Sequence, residues 1–182
     1  MPDYPGLDGF LLRMAAGTSE GVFDKDVIPT LVDTWVEDYA RSVKGSQIVE
    51  TTVDNFSYLF DIKAQRLIAA WGISRGRHGG KRDASRMAGH PKSAGERYHR
   101  GHAIAHTLGG GTDINLVAQL GSVNIGPFRA LEREAVNTPG VLYFTYWSYR
   151  PSDSQTPIAV QQGLLCPGRP AKLRGHANEL RA

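Results

Sequence analysis

Between Tyr98 and Ala135 the chain reads YHRGHAIAHTLGGGTDINLVAQLGSVNIGPFRALEREA, a stretch that crowds reactive side chains together. An Arg100-Gly101-His102 run is followed by a glycine-rich turn and a short apolar segment opened by Asn115. Asn124 then stands just ahead of a helical pattern that carries Glu132. Hydrolysing a phosphodiester requires a base for the attacking water, positive charge for the crowded phosphorus, and help for the leaving oxygen. A neutral histidine does the first near pH 7. A Mg²⁺ ion held by few protein oxygens, with water filling most of its shell, does the other two, and an asparagine carbonyl is a suitable hard ligand.

Helical geometry sorts the neighbouring side chains. Phe128, Leu131 and Ala135 share one face at the 3.6-residue period, while Arg129 and Arg133 project away from it. Glu132 lies about 40° from Phe128 on the same wheel, flanking the packed face, and on Asn124's side if the helical phase extends back that far. A carboxylate there is expensive unless engaged, so it reads either as part of a site or as half of a structural ion pair. His102 and His106 have the four-residue spacing of a zinc pair, but the segment HAIAH lacks the glutamate of H-E-x-x-H, and the glycines on both sides oppose a stable helix. A zinc site built from His99, His102 and His106 lacks a convincing fourth ligand. His78, His90, His106 and His176 read as structural, whereas His99 adjoins the reactive stretch.

The elements that must position these groups follow from periodicity. Asp24–Lys44 is expected to be an amphipathic helix with Val27, Leu31, Trp35 and Tyr39 on one face and Gly45 as its stop. Leu7–Ala16 reads as a shorter helix. Ile48, Thr51 to Val53, and Phe56 to Ile62 are rich in β-branched and aromatic residues, and Leu67 to Ile73 forms a partner strand across the polar Lys63–Arg66 turn. Ile114–Gln119 reads as a strand, Pro127–Asn137 as a helix, and Val141–Tyr149 with Ile158–Leu165 as a strand pair. The tail from Pro167, basic and Pro/Gly-bearing, is expected to fray. Between Gly72 and Gly101 lies a basic segment that includes Arg75, Arg77, Lys81, Arg82 and Arg97. Its glycines predict a long flexible loop facing a phosphate backbone, with a solvated linker as the competing reading.

Composition bounds the rest. The 182 residues, 41% hydrophobic and 21% charged, exclude wholesale disorder and fibrous structure. The single cysteine, Cys166, allows neither an internal disulfide nor a Cys-rich zinc site. MPDYPGLDG has no basic n-region or apolar h-region, so no secretory signal and a cytoplasmic origin are expected, with no membrane span. Charge is divided unevenly. Residues 1–71 hold 6 Lys/Arg against 11 Asp/Glu, and residues 72–182 hold 15 against 7, a net of −5 followed by +8. That asymmetry points to one polyanion-facing half.

Residues 98–135 resemble the DNA/RNA non-specific endonuclease family, whose ββα-metal (His-Me finger) core carries an Asp-Arg-Gly-His motif. The match is closest to the bacterial toxin-type branch: Gly101-His102-Ala103-Ile104-Ala105-His106, then Asn115-Leu116-Val117-Ala118-Gln119, Val123-Asn124-Ile125-Gly126 and Leu131-Glu132 stand in the family's order. The resemblance implies an α+β fold, with a ββα-metal core and a flanking antiparallel sheet within 46–168; residues 1–45, which have no counterpart in the family, read from their own pattern as an N-terminal helical segment, and 169–182 as a basic tail. It implies a sequence-tolerant DNA/RNA endonuclease using Mg²⁺ or Mn²⁺ and leaving 5′-phosphate ends. His102 would be the general base, Asn124 the metal ligand, Glu132 the orienter of water around the metal, Asn115 a supporting residue and Arg100 a phosphate contact. Arg75, Arg77, Lys81, Arg82, Arg97 and Arg129 would bind nucleic acid. A toxin or effector role with a cognate immunity protein and a specialised export route is implied as well. A non-catalytic nucleic-acid-binding module or a phage or housekeeping nuclease are the alternatives. Two departures stand out: His99 replaces the motif's aspartate, and Ala118 replaces a proline.

Overall fold

The computed structural model describes residues 1–14, 20–80, 84–88, 94–151 and 154–180, so Lys81 and Arg82 lie outside the described residues. In chain order the elements are α1 (Leu7–Arg13), α2 (Glu20–Val22), a π-helical turn at Phe23–Val27, α3 (Ile28–Ser42), β1 (Ile48–Val53), β2 (Phe56–Asp61) and β3 (Arg66–Ile73). After these come α4 (Ala84–Met87), β4 (Tyr98–His102), a 3₁₀ turn at His106–Leu108, β5 (Leu116–Leu120), α5 (Gly121–Asn124) and α6 (Phe128–Asn137). The chain ends with β6 (Leu142–Ser148), β7 (Ala159–Leu165) and β8 (Lys172–Ala177). The protein is α+β.

One antiparallel sheet runs β1-β2-β3-β6-β7-β8, and β4 and β5 form a separate antiparallel pair. β1 and β2 meet across Asp54 and Asn55, whose φ values of 51° and 69° are those of a tight hairpin turn and suit these residue types. The expected hairpin between β2 and β3 forms, with Asp61 opposite Arg66.

The large sheet is covered on both faces. On one side α3 buries Leu31, Trp35 and Tyr39 of the predicted stripe, and Pro29 stands just after the π-helical turn, where the regular helical hydrogen-bond ladder is already interrupted. The Trp35 ring lies 5.4 Å from Trp71 and 5.1 Å from Phe144. Its indole Nε1 donates to Tyr4 Oη at 2.8 Å, and that hydroxyl donates to Gln161 Oε1 at 2.7 Å, tying α3, the N-terminus and β7 together. On the other side Phe128 of α6 packs 6.1 Å from Trp147. Alternation along β6 therefore sends Phe144 and Tyr146 to α3, and Trp147 to α6, so nearly the whole strand is buried.

The tail departs from expectation. It does not fray: β8 pairs with β7 from Ala159–Ala177 to Leu164–Lys172, and Lys172 forms an ion pair with Glu134 of α6. As an edge strand it buries little, so its sequence shows no apolar alternation. No helix among the described residues is long and apolar enough to cross a membrane.

Candidate active site

β4 and β5 place His102 opposite Leu116 and Gly101 opposite Val117. Gly101 leaves no room for a side chain, because a Cβ there would come within 2.6 Å of Gln119 Cβ on the partner strand. Immediately before β5, Asn115 is fully buried and clasps the loop that leaves β4. Its Oδ1 accepts from Ile104 N at 2.7 Å, and its Nδ2 donates to Ile104 O at 2.8 Å and Gly111 O at 2.9 Å. The turn leaves no room for a side chain at Gly110, whose Cβ would sit 2.0 Å from Ile104 O. Asn115 therefore works through the loop: it positions the segment from His102 to His106 and does not itself line the cleft.

That cleft, of about 570 Å³, gathers Arg100 and His102 from β4, Asn124 from the end of α5, and Arg129, Glu132 and Arg133 from α6. His102 is 5% exposed. α6 follows the predicted wheel, with Phe128, Leu131 and Ala135 buried, Arg129 and Arg133 exposed and Glu132 half-buried between them. Burial, and then the Glu132 carboxylate, push the Tyr143 hydroxyl well above its ordinary pKa, which locates Glu132's charge close to that phenol. The phenol in turn accepts from Gln162 Nε2 at 2.7 Å.

His99 also lines the cleft. Its Nδ1 lies 3.2 Å from Asn124 Nδ2, and its Nε2 lies against Gly121, where a Cβ would approach to 2.8 Å. With the amide nitrogen donating to the ring, Asn124's carbonyl oxygen turns away from His99. Sequence reasoning left His99 without a role, because the contact depends on how α5 folds back on β4. Only the glycine directly after β5 hints at the close approach. His106, read as structural, lies in the same lining with its ring centroid 6.2 Å from that of His102.

Arg97 and the pair Arg75 and Arg77 are not in this cleft. Arg97 is exposed, and its carbonyl accepts from Gly121 N at 2.9 Å. Arg75 and Arg77 line a neighbouring cleft. Among the described residues no three His, Cys, Asp or Glu side chains are grouped to hold a metal ion, so His99, His102 and His106 do not make the zinc site weighed above.

Residues 40–157 match the DNA/RNA non-specific endonuclease family. The chain belongs to that family. It is accordingly a nuclease, a phosphodiester hydrolase, and its β4-β5-α6 unit is the family's ββα core. Two solved structures of NucA from Streptococcus agalactiae share the fold. The one with no metal bound is 16% identical over 87% of this chain and 92% of that one, with a TM-score of 0.50. The one with a magnesium ion bound is 15% identical over 80% and 90%, with a TM-score of 0.51. No curated protein sequence matches the chain.

Proposed function

We propose that this nuclease is a Mg²⁺-dependent endonuclease that cuts DNA or RNA with little regard to sequence, using His102 as general base. The observation that carries the reading is the single cleft that draws Arg100, His102, Asn124, Arg129 and Glu132 from three separate elements. Binding alone requires cations, not an imidazole, an amide oxygen and a carboxylate beside them.

The donor set suits a hard cation. Asn124's nitrogen is occupied by His99, so its oxygen is the group presented to the cleft, with the Glu132 carboxylate in the same lining. One amide oxygen with a nearby carboxylate matches an ion that keeps much of its water, as Mg²⁺ does, with Mn²⁺ as a substitute. When bound, the ion supplies positive charge to the phosphoryl and leaving-group oxygens. An imidazole nitrogen of His102 accepts the proton of the attacking water, which requires the neutral ring. Arg100 and Arg129 offer guanidinium donors to the phosphate. Glu132 accepts hydrogen bonds from water in the cleft and holds it in line. Asn115 keeps His102's loop in place. The order of the submotifs supports a toxin or effector role with an immunity partner.

Plasmid nicking with and without EDTA tests the reading. Metal-dependent nicking that drops at least about 100-fold in His102→Ala, the scale of general-base catalysis, is the expected result. Asn124→Ala should abolish metal-dependent cleavage while the protein remains folded. Wild-type turnover by either variant overturns the assignment of that residue.

A further inference from the structure

The basic segment after β3 was expected to be flexible throughout, yet its first part is pinned. Ser74 is 2% exposed, and its Oγ donates to Ala135 O of α6 at 2.6 Å. Its amide donates to Val141 O at 2.8 Å and its carbonyl accepts from Gly140 N at 2.7 Å. Gly76 is buried at φ 84°, with its amide 3.2 Å from Ser74 Oγ, and His78 N donates to Thr107 O at 2.8 Å. Anchoring Ser74 and Gly76 leaves Arg75 and Arg77 exposed, on a backbone that cannot drift.

Arg75, Arg77 and His78 line a second cleft of about 620 Å³ together with the Asp54-Asn55 turn and the glycine turn at 109–111. Among the described residues of that lining Asp54 is the only carboxylate, so an anion is favoured beside Arg75 and Arg77. His106 lines both clefts, with its ring 6.2 Å from His102 and 6.0 Å from His78. Those two ring-to-ring steps span no more than about four phosphates of a stacked strand at about 3.4 Å per nucleotide.

We infer that the second cleft is a substrate subsite, in which Arg75 and Arg77 hold the sugar–phosphate backbone of the strand flanking the scissile phosphate. The inference rests on the nuclease reading and deepens it. A pinned backbone removes the loop-ordering cost of meeting a phosphate and leaves only the ordering of the two arginine side chains, so more of their attraction goes to affinity for a longer strand. The contact is to the backbone and carries no base information.

The test pairs Arg75→Ala/Arg77→Ala with the charge-keeping Arg75→Lys/Arg77→Lys. Binding of a fluorescein-labelled single strand of about 12 nucleotides is followed by anisotropy in EDTA, where cleavage is absent. The alanine variant should weaken binding at least about tenfold and flatten the log–log salt slope by about 1.4, at about 0.7 per lost phosphate contact on a single strand. The lysine variant should recover most of that slope. In Mg²⁺, the alanine variant's loss of kcat/KM on the oligonucleotide should exceed its loss on bis(p-nitrophenyl) phosphate, a diester with no second phosphate to offer Arg75 and Arg77, by at least about tenfold. An unchanged salt slope, or equal losses on the two substrates, overturns the subsite. Cleavage of neither substrate by the wild type would instead sink the nuclease reading, while the EDTA titration still decides the subsite.

Discussion

At position 99 an imidazole stands where the family's motif has aspartate, and it lies between Gly121 and Asn124. The substitution removes a fixed negative charge but retains a hydrogen-bond acceptor at the amide of Asn124, the proposed metal ligand. Partners of this kind orient a ligand and typically change metal affinity 10–100-fold when removed. His99→Ala should therefore raise the Mg²⁺ concentration for half-maximal cleavage at least about tenfold, with the same rate approached at saturation. A Mg²⁺ titration of cleavage by the folded variant checks this, and an unchanged midpoint would mean that residue 99 only fills space beside Gly121. That His102, Asn124 and Glu132 meet in one cleft was legible in the sequence, because each belongs to a submotif standing in the family's order. His99's contact was not, because it depends on the packing of α5 against β4. The same holds for Asn115: the residue stood out, but its buried clasp on Ile104 and Gly111 is a property of the folded loop.

Among the elements, α3 is fastened to the sheet through a buried carboxylate. Tyr39 Oη donates to Asp61 Oδ2 at 2.9 Å, while the amides of Gln47, Lys63 and Ala64 donate to Oδ1 at 3.2, 3.0 and 3.2 Å. Burial pushes the Asp61 carboxyl up, but these four donors together outweigh it and hold the carboxyl below its ordinary value. A carboxyl lowered in the folded state contributes stability that is fully present above its unfolded pKa, about 3.9, and is lost as pH falls through the lower folded value. Urea denaturation between about pH 7 and 2 should thus show wild type losing stability below about pH 4 more steeply than Asp61→Asn, which cannot titrate. Parallel acid limbs in the two proteins would refute the assignment. The elements themselves were largely visible: α3 through its four-residue stripe, β2 and β3 through their aromatic and β-branched runs, and α6 through its wheel. β8 was not, because an edge strand carrying Lys172, Arg174 and His176 has no apolar period to read.

Across the whole molecule, the sheet separates α3 from α6, which come from chain halves of opposite net charge. The helices α1 to α3 and the strands β1 and β2 belong to the half with a net charge of −5, while the cleft, the pinned arginines and α6 belong to the half with +8. The charge count foresaw two unlike halves. It did not show that the acidic half packs directly on the sheet through Trp35, since burial of that indole depends on pairing β3 with β6, strands separated by the entire ββα unit. A molecule charged in this way draws a polyanion towards its cleft face and repels it from the other. If Arg75, Arg77, Arg97, Arg100, Arg129 and Arg133 together make about six phosphate contacts, log K for duplex DNA should fall against log salt with a slope near −5, at about 0.9 per contact. Asp33 and Glu37 are exposed on α3, across the sheet from α6. Asp33→Asn/Glu37→Gln should tighten binding slightly at low salt, because a repulsive long-range field is reduced, yet leave the slope unchanged, because no phosphate contact is gained. Duplex titrations from about 50 to 200 mM salt, with wild type and this variant in EDTA, measure both quantities. A slope shallower than about −2, or a slope that changes in the α3 variant, would show that nucleic acid does not dock on the basic face alone.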